Sequence, residues 1–159
     1  TSLESSDQVD AQALLARFFT QKAKLLELED PSSSDLKRLR DRAAVHAGKV
    51  LDKEMKPTKR RQEMMEILAD KKMIDKDFAG AITLYAQLPR LRRNAADWYN
   101  LALALANARR LGDAEEALQN AIRIDPAYVK AYVSLSKLYS YVDAETAARF
   151  REIAIRLSE

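Results

Sequence analysis

Three large apolar residues, Met65, Trp98 and Tyr132, stand 33 and 34 residues apart, and the pair one helical turn beyond each is alike in kind. That pair is Leu68-Ala69 in the first case, Leu101-Ala102 in the second and Leu135-Ser136 in the third. An internal period of this size constrains the fold more than any single motif. Each period is one supersecondary unit that cannot bury its apolar face alone, so neighbours must stack. The central period, Asp97 to Pro126, is the clearest. Trp98, Leu101, Ala102 and Leu105 fall on one helical face. After Leu111-Gly112-Asp113, read as a turn, comes a second stripe of Ala114, Ala117, Leu118, Ala121 and Ile122. Small residues there let two helix backbones approach closely. Pro126 cannot continue a helix and pushes Asp125 out of helical geometry.

The flanking periods have the same plan. In the first, a turn is expected at Asp75-Lys76-Asp77, and a second helix over residues 78–88 carries Ala81 and Tyr85. Pro89 is expected to stop that helix, with residues 91–94 as the link onward. In the third, the turn is placed at Val142-Asp143 and the last helix at about 144–157, without a closing Pro. Ahead of the periods, residues 1–8 read as polar and frayed, and a helix is expected from about Val9 to Glu29. Asp30 to Ser34 is a loop, and a second helix is expected from Asp35 to Lys56. Pro57-Thr58 breaks the chain, with Thr58 as a cap. The expected organisation is an N-terminal helical hairpin or cap over residues 1–58, then three periods at about 59–93, 94–127 and 128–159.

Composition agrees with an all-α chain: three Gly, four Pro and 47% hydrophobic residues among 159. No Cys is present, which excludes disulfides and thiolate metal sites. The one His, His46, cannot make a metal site or a triad by itself. Gly48, Gly80 and Gly112 are too far apart for a phosphate loop. No catalytic, cofactor or metal site is expected, and the chain is read as no enzyme. No apolar run approaches the roughly 20 residues of a membrane span, and no signal peptide is visible. The chain starts with Thr, so it is treated as a candidate fragment of a longer protein. A soluble chain is expected, with the cytoplasm ahead of the periplasm or a place in an envelope protein.

The net charge of +3 is unevenly spread. Residues 1–30 carry three basic and six acidic groups, residues 35–61 ten basic and four acidic. The basic stretch suits an acidic partner or, as an alternative, nucleic acid. It lacks stacking aromatics, so nucleic acid is the weaker reading. Phe18 and Phe19 point about 100° apart on a helix. Either both rings are core, or one of them serves a dimer or docking contact.

The stretch from Asp97 to Pro126 resembles a tetratricopeptide repeat (TPR), through Trp98, Leu101-Ala102, Ala114, Ala121 and Pro126. Gly112 falls about one turn later than the family's turn. The resemblance covers roughly residues 59–159. It implies an all-α, right-handed superhelix of antiparallel helix pairs whose core includes Tyr132 and Leu135 as well. It also implies a protein–protein interaction scaffold or adaptor that takes a peptide or helix in a concave groove. Carried over, the groove residues are Glu63, Glu66 and Asp70, then Tyr99, Asn100, Leu103 and Asn107, then Lys130, Val133, Ser134 and Lys137. Asn100 and Lys130 match two positions of the family's carboxylate clamp. Glu66, Asp70 and Ser134 depart from it, so chaperone-tail binding is not expected. Size and plan are also similar to small secretion chaperones, which leaves a self-associating, chaperone-like homo-oligomer using the N-terminal helices as an alternative.

Overall fold

The computed structural model describes the backbone of residues 2–159 and the side chains from residue 5 onward. Among the described residues the regular structure is entirely helical: α1 (Ser2–Glu29), α2 (Asp35–Lys53), α3 (Lys59–Ile74), α4 (Phe78–Tyr85), α5 (Leu88–Arg92), α6 (Ala95–Asn107), α7 (Leu111–Ile124), α8 (Val129–Tyr139) and α9 (Ala144–Arg156). The helices form two compact units, Thr1–Asp77 and Phe78–Glu159. Residues 59–93 therefore contribute α3 to the first unit and α4 and α5 to the second.

In the first unit α1 and α2 form an antiparallel hairpin, and α3 packs against both. Near one end, Val9, Ala13 and Ala16 meet Ala47 and Val50 of α2 and Met64 of α3. Towards the other, Phe19 and Ala23 meet Leu39 and Ala43. The reversed order of these pairs along the two helices defines the hairpin. Its loop is held by Asp30, whose Oδ1 accepts from Ser32 N at 3.1 Å and Ser32 Oγ at 2.7 Å. Thr58 caps α3 as expected, accepting from Arg61 N at 3.1 Å. Helix α1 already runs from Ser2, so from there on the polar segment read as frayed is helical. Polarity alone does not break a helix, and this segment contains no Gly or Pro.

In the second unit α6 pairs with α7 and α8 with α9, α7 packs on α8, and α4 packs on α6. The core is mostly alanine: Ala102, Ala104, Ala114, Ala121, Ala131 and Ala147 are all buried. Two hydrogen bonds pin the stack. Ser136 Oγ, buried, donates to the Ala147 carbonyl at 2.8 Å. Tyr139 donates its phenol to Glu115 Oε1 at 2.5 Å, tying α8 to α7. Of the expected repeat core, Leu101, Ala102, Ala114, Ala121 and Leu135 are buried, whereas Trp98 and Tyr132 are half-buried and Pro126 lies exposed in its turn.

Two turns differ from expectation. The turn of the central helix pair is Ala108-Arg109-Arg110, and Gly112 lies inside the first turn of α7. Arg109 takes φ 63°. Arg109 N donates to Ala106 O and Arg110 N to Leu105 O, the paired bonds of a Schellman ending. Lys76 (φ 62°) ends α3 in the same way, Lys76 N bonding Met73 O and Asp77 N bonding Lys72 O. The left-handed position usually given to Gly is thus filled by a cation, which also sits favourably at the negative end of the helix dipole. The second difference is at Pro89. Helix α4 ends at Tyr85, and Pro89 stands in the first turn of α5, where its missing N–H costs nothing.

Gly112→Ala should raise stability by about 0.4–1 kcal/mol, because the site is helical and an added Cβ meets no atom within 4 Å. Arg109→Gly should also raise it, by up to about 1 kcal/mol, by relieving the left-handed residue. Urea unfolding of each variant measures both. A destabilised Gly112→Ala would return the turn to Gly112. Stability should also depend on pH through His46. His46 Nδ1 lies 2.6 Å from Gln12 Oε1, and its ring stacks on Phe19 at 5.6 Å, with Arg42 above the same Phe19 ring at 4.2 Å. Burial first, then Lys49 and Arg42, hold its pKa below the usual 6.5. The unfolded chain therefore binds a proton at a higher pH than the folded one. Stability should be fully present above pH 6.5 and decline as the pH falls from there through the lowered folded value. His46→Gln should flatten that slope in melts taken at pH 7.5 and below.

Candidate partner-binding surface

Within the second unit the expected groove residues lie on α6 and α8, the first helices of two successive pairs. Helix α6 is set by its N-terminus. Asn94 caps it, accepting from Asp97 N at 2.8 Å. Asp97 is itself buried and paired in a two-pronged bond with Arg92 of α5, Nη2 to Oδ1 at 2.7 Å and Nε to Oδ2 at 3.0 Å. This carboxylate also lies in the first turn, where the helix dipole favours negative charge. It fixes the entry angle of the helix that displays Tyr99, Asn100, Leu103 and Asn107.

Those four sit as follows. Tyr99, Asn100 and Leu103 are half-buried and Asn107 is exposed. The Tyr99 ring meets Tyr128 edge-on, centroids 5.6 Å apart at 67°. Tyr128 stands just before α8, so the two rings link α6 to the start of the next pair. Burial, the Tyr99 neighbour and then nearby carboxylates push the Tyr128 phenol up from its ordinary pKa, so it stays a neutral donor at neutral pH. Asn107 Nδ2 donates to Leu103 O at 2.8 Å.

Helix α8 carries Lys130, Val133 and Lys137, all exposed, and Ser134, half-buried. Val133 and Lys137 line a hollow of about 300 Å³ with Ser136, Ser140 and Arg151 of α9. Neither serine hydroxyl has a proton to spare: Ser136 donates to Ala147 O and Ser140 to Lys137 O. The donors facing that hollow are therefore the Lys137 ammonium and the Arg151 guanidinium, neither of which has an ion pair among the described residues.

The expected groove residues thus divide. Tyr99, Asn100, Leu103, Asn107, Lys130, Val133 and Lys137 belong to the second unit, while Glu63, Glu66 and Asp70 belong to α3 in the first. Glu63 is engaged by Arg17 of α1, Nε to Oε2 at 3.0 Å. Glu66 is half-buried and Asp70 exposed. The repeat pattern does not point to Tyr128, Arg151 or the Arg92–Asp97 pair. Asp97 three residues after Asn94 is a readable capping spacing, whereas nothing in the pattern marks Tyr128 or Arg151.

The other candidates also separate. Phe19 is buried and Phe18 is 56% exposed, so only one ring of the pair is available for contact. Much of the basic stretch is used internally. Arg40 pairs with Glu27 at 2.7 Å, Arg60 with Glu54 at 2.8 Å and with Asp10, and Arg61 donates to the carbonyls of Leu51 and Glu54. Lys37, Lys49, Lys56 and Lys59 remain exposed, with no ion pair among the described residues.

Comparison with known proteins agrees with this architecture. No protein-family model matches the sequence. A 74-residue stretch, 45% of the chain, is 40% identical to the inactive TPR repeat-containing thioredoxin TTL3 of Arabidopsis thaliana, but it spans 11% of that protein. A crystal structure of MamA superposes with TM-score 0.68 at 19% identity, covering 86% of this chain and 84% of that one. YrrB, described as a TPR protein with an unusual peptide-binding site, superposes with TM-score 0.65 at 18% identity over 95% of this chain and 81% of its own. The fold is the tetratricopeptide-repeat fold. Among the described residues, no helix is long and apolar enough to cross a membrane.

The position of the α6 side chains depends on the seating of that helix by Arg92 and Asp97. Arg92→Ala would leave the Asp97 carboxylate buried without its bidentate partner. It should cost about 2–3 kcal/mol, less than a fully buried pair because Arg92 is partly exposed. Thermal unfolding of the variant checks this; an unchanged melting temperature would show that the pair does not hold α6.

Proposed function

We propose that the chain is a non-enzymatic interaction scaffold whose second unit captures an extended or helical segment of a partner protein on the α6–α8 face. The observation that carries this is the company kept by the exposed groups. A half-buried tyrosine pair and Leu103 offer apolar and edge contacts. Lys130, Lys137 and Arg151 bring three cations without counter-ions among the described residues, two of them at one hollow beside Val133. Asn100 and Asn107 add amides suited to a peptide backbone. Such a surface fits a segment with acidic side chains spaced from an apolar or aromatic anchor. Paired charges such as Glu63 with Arg17 are not part of the proposed site. YrrB, whose fold this chain shares, is described as having a peptide-binding site, which is in keeping with such use of the fold.

A peptide array screened with the whole chain should return acidic sequences carrying an aromatic or aliphatic residue. Lys130→Glu with Lys137→Glu should weaken the best of them by about tenfold or more and flatten the salt dependence, with helicity unchanged. Binding unaffected by that double reversal would remove the α6–α8 face as the site.

A further inference from the structure

The hollow between α8 and α9 holds two cations, Lys137 and Arg151, beside Val133, Ser136 and Ser140. Their lack of counter-ions is built into the sequence. A cation on a helix finds its partner three or four residues away. Helix α9 has three arginines, and two of them pair in this way, Arg149 with Glu145 at 2.5 Å and Arg156 with Glu152. Arg151 has Ala147, Ala148, Ala154 and Ile155 at those steps, and Lys137 has Val133, Ser134, Ser140 and Tyr141. Neither can be neutralised along its own helix, and neither has an ion pair among the described residues.

The repeat sharpens the point. In the register that sets Tyr132 on Trp98 and Ala147 on Ala114, Lys137 corresponds to Leu103 and Arg151 to Leu118. Leu118 is buried in its pair. The last pair therefore departs from the one before it in the same direction twice, from leucine to cation. A solvated end of a helical stack calls for polar residues. Amides or mixed charges would meet that need without the repulsion of two like charges at one hollow.

We propose that this hollow is a subsite for a phosphorylated serine or threonine in the partner's segment, so that phosphorylation of the partner strengthens its capture. The proposal rests on the α6–α8 face as the binding surface, with which the hollow shares Val133 and Lys137. The charge balance selects the group. One carboxylate neutralises one of the two cations. A phosphate monoester carries about −1.5 to −2 at neutral pH and three acceptor oxygens, enough for both. The Arg151 guanidinium can engage two of those oxygens as a fork, and the Lys137 ammonium the third as a point charge. No neutral hydroxyl donor competes, because Ser136 and Ser140 already donate to the Ala147 and Lys137 carbonyls. Val133 gives the carbon stem of the modified side chain an apolar wall. The hollow, about 300 Å³, has room for several water-sized groups of about 30 Å³ each, such as phosphate oxygens.

Each hit of the peptide array is remade with serine, phosphoserine or glutamate at successive positions and titrated into the whole chain. At one position phosphoserine should bind at least about tenfold tighter than serine, and glutamate should recover only part of the gain. Arg151→Gln and Lys137→Gln should each bring the ratio of phosphoserine to serine affinity towards one. Lys130→Glu, on the same face but outside the hollow, should weaken both forms and leave the ratio. Blocked phosphoserine alone, followed by backbone amide resonances, should shift residues 133–140 and 151 in the unaltered chain and not in Arg151→Gln. Array hits with no gain from phosphoserine would overturn the subsite and leave the α6–α8 face standing. An array without hits would overturn that face, and blocked phosphoserine then decides the hollow, which fails if those resonances do not move. A gain that survives Arg151→Gln, or binding to phosphatidate vesicles in preference to every phosphopeptide, would also overturn the proposal.

Discussion

Everything in this protein depends on helices approaching closely through alanine. Ala13, Ala16, Ala43 and Ala47 line the α1–α2 contact, and Ala102, Ala104, Ala114, Ala121 and Ala147 lie in the core of the second unit. Alanine has two properties that matter here. It costs no side-chain entropy and is the strongest helix former, and its single methyl allows backbones to pack at the short end of the usual interaxial range. The same methyl buries little apolar area, at roughly 25 cal/mol per Å². An alanine seam therefore sets geometry more than it supplies stability, and the stack needs additional pins. Ser136 bonded to the Ala147 carbonyl, Tyr139 bonded to Glu115 and Arg92 paired with Asp97 are those pins. Each joins two helices by a directional polar contact that a hydrophobic seam of small residues cannot provide.

The repeat is legible because the alanine seam has a period. Once Leu101-Ala102 and Ala114–Ala121 are seen to recur, helix pairs and their order emerge. The turns are less legible, for a physical reason. Gly is the expected occupant of a left-handed helix ending, and Gly112 is the glycine at hand. The chain instead places Arg109 there, accepting backbone strain that the two Schellman hydrogen bonds and the helix dipole offset in part. Gly112 is then an ordinary helical residue. Pro89 misleads in the same way. A proline ends a helix only when it falls beyond the first turn, and a break at Ala86-Gln87 puts it inside one.

The candidate surface is legible only as positions. Alignment to the repeat places Tyr99, Leu103, Val133 and Lys137 on first helices, and the structure puts Val133 and Lys137 at one hollow. Alignment cannot supply Arg151, which comes from the second helix of its pair, nor Tyr128, which comes from a connecting turn. Both are brought in by packing between elements, and spacing along one element carries no information about that. The charge count of residues 35–61 is similarly ambiguous. Ten cations in a row of residues imply a field, but Arg40, Arg60 and Arg61 are spent on carboxylates and carbonyls of the same unit. Net charge in sequence overstates the free charge on a surface wherever long side chains can fold back.

Alanine in the core also has a consequence for the outside. A helix whose small residues face inward must place its large ones elsewhere. In α1 this inversion is partial: Ala13, Ala16 and Ala23 face in together with Val9 and Phe19, while Leu14, Phe18, Leu25 and Leu28 face out. In α6 and α8 it is partial too, with Tyr99, Leu103 and Val133 left at or near the surface beside buried Ala102, Ala104 and Ala131. Close packing and surface recognition are thus coupled by one choice of residue size. The bulk that would have filled a looser core is free to meet other chains, and the two units differ in what surrounds it. On α1 it lies exposed on both sides of Gln21. On α6 and α8 it is interrupted by amides and cations.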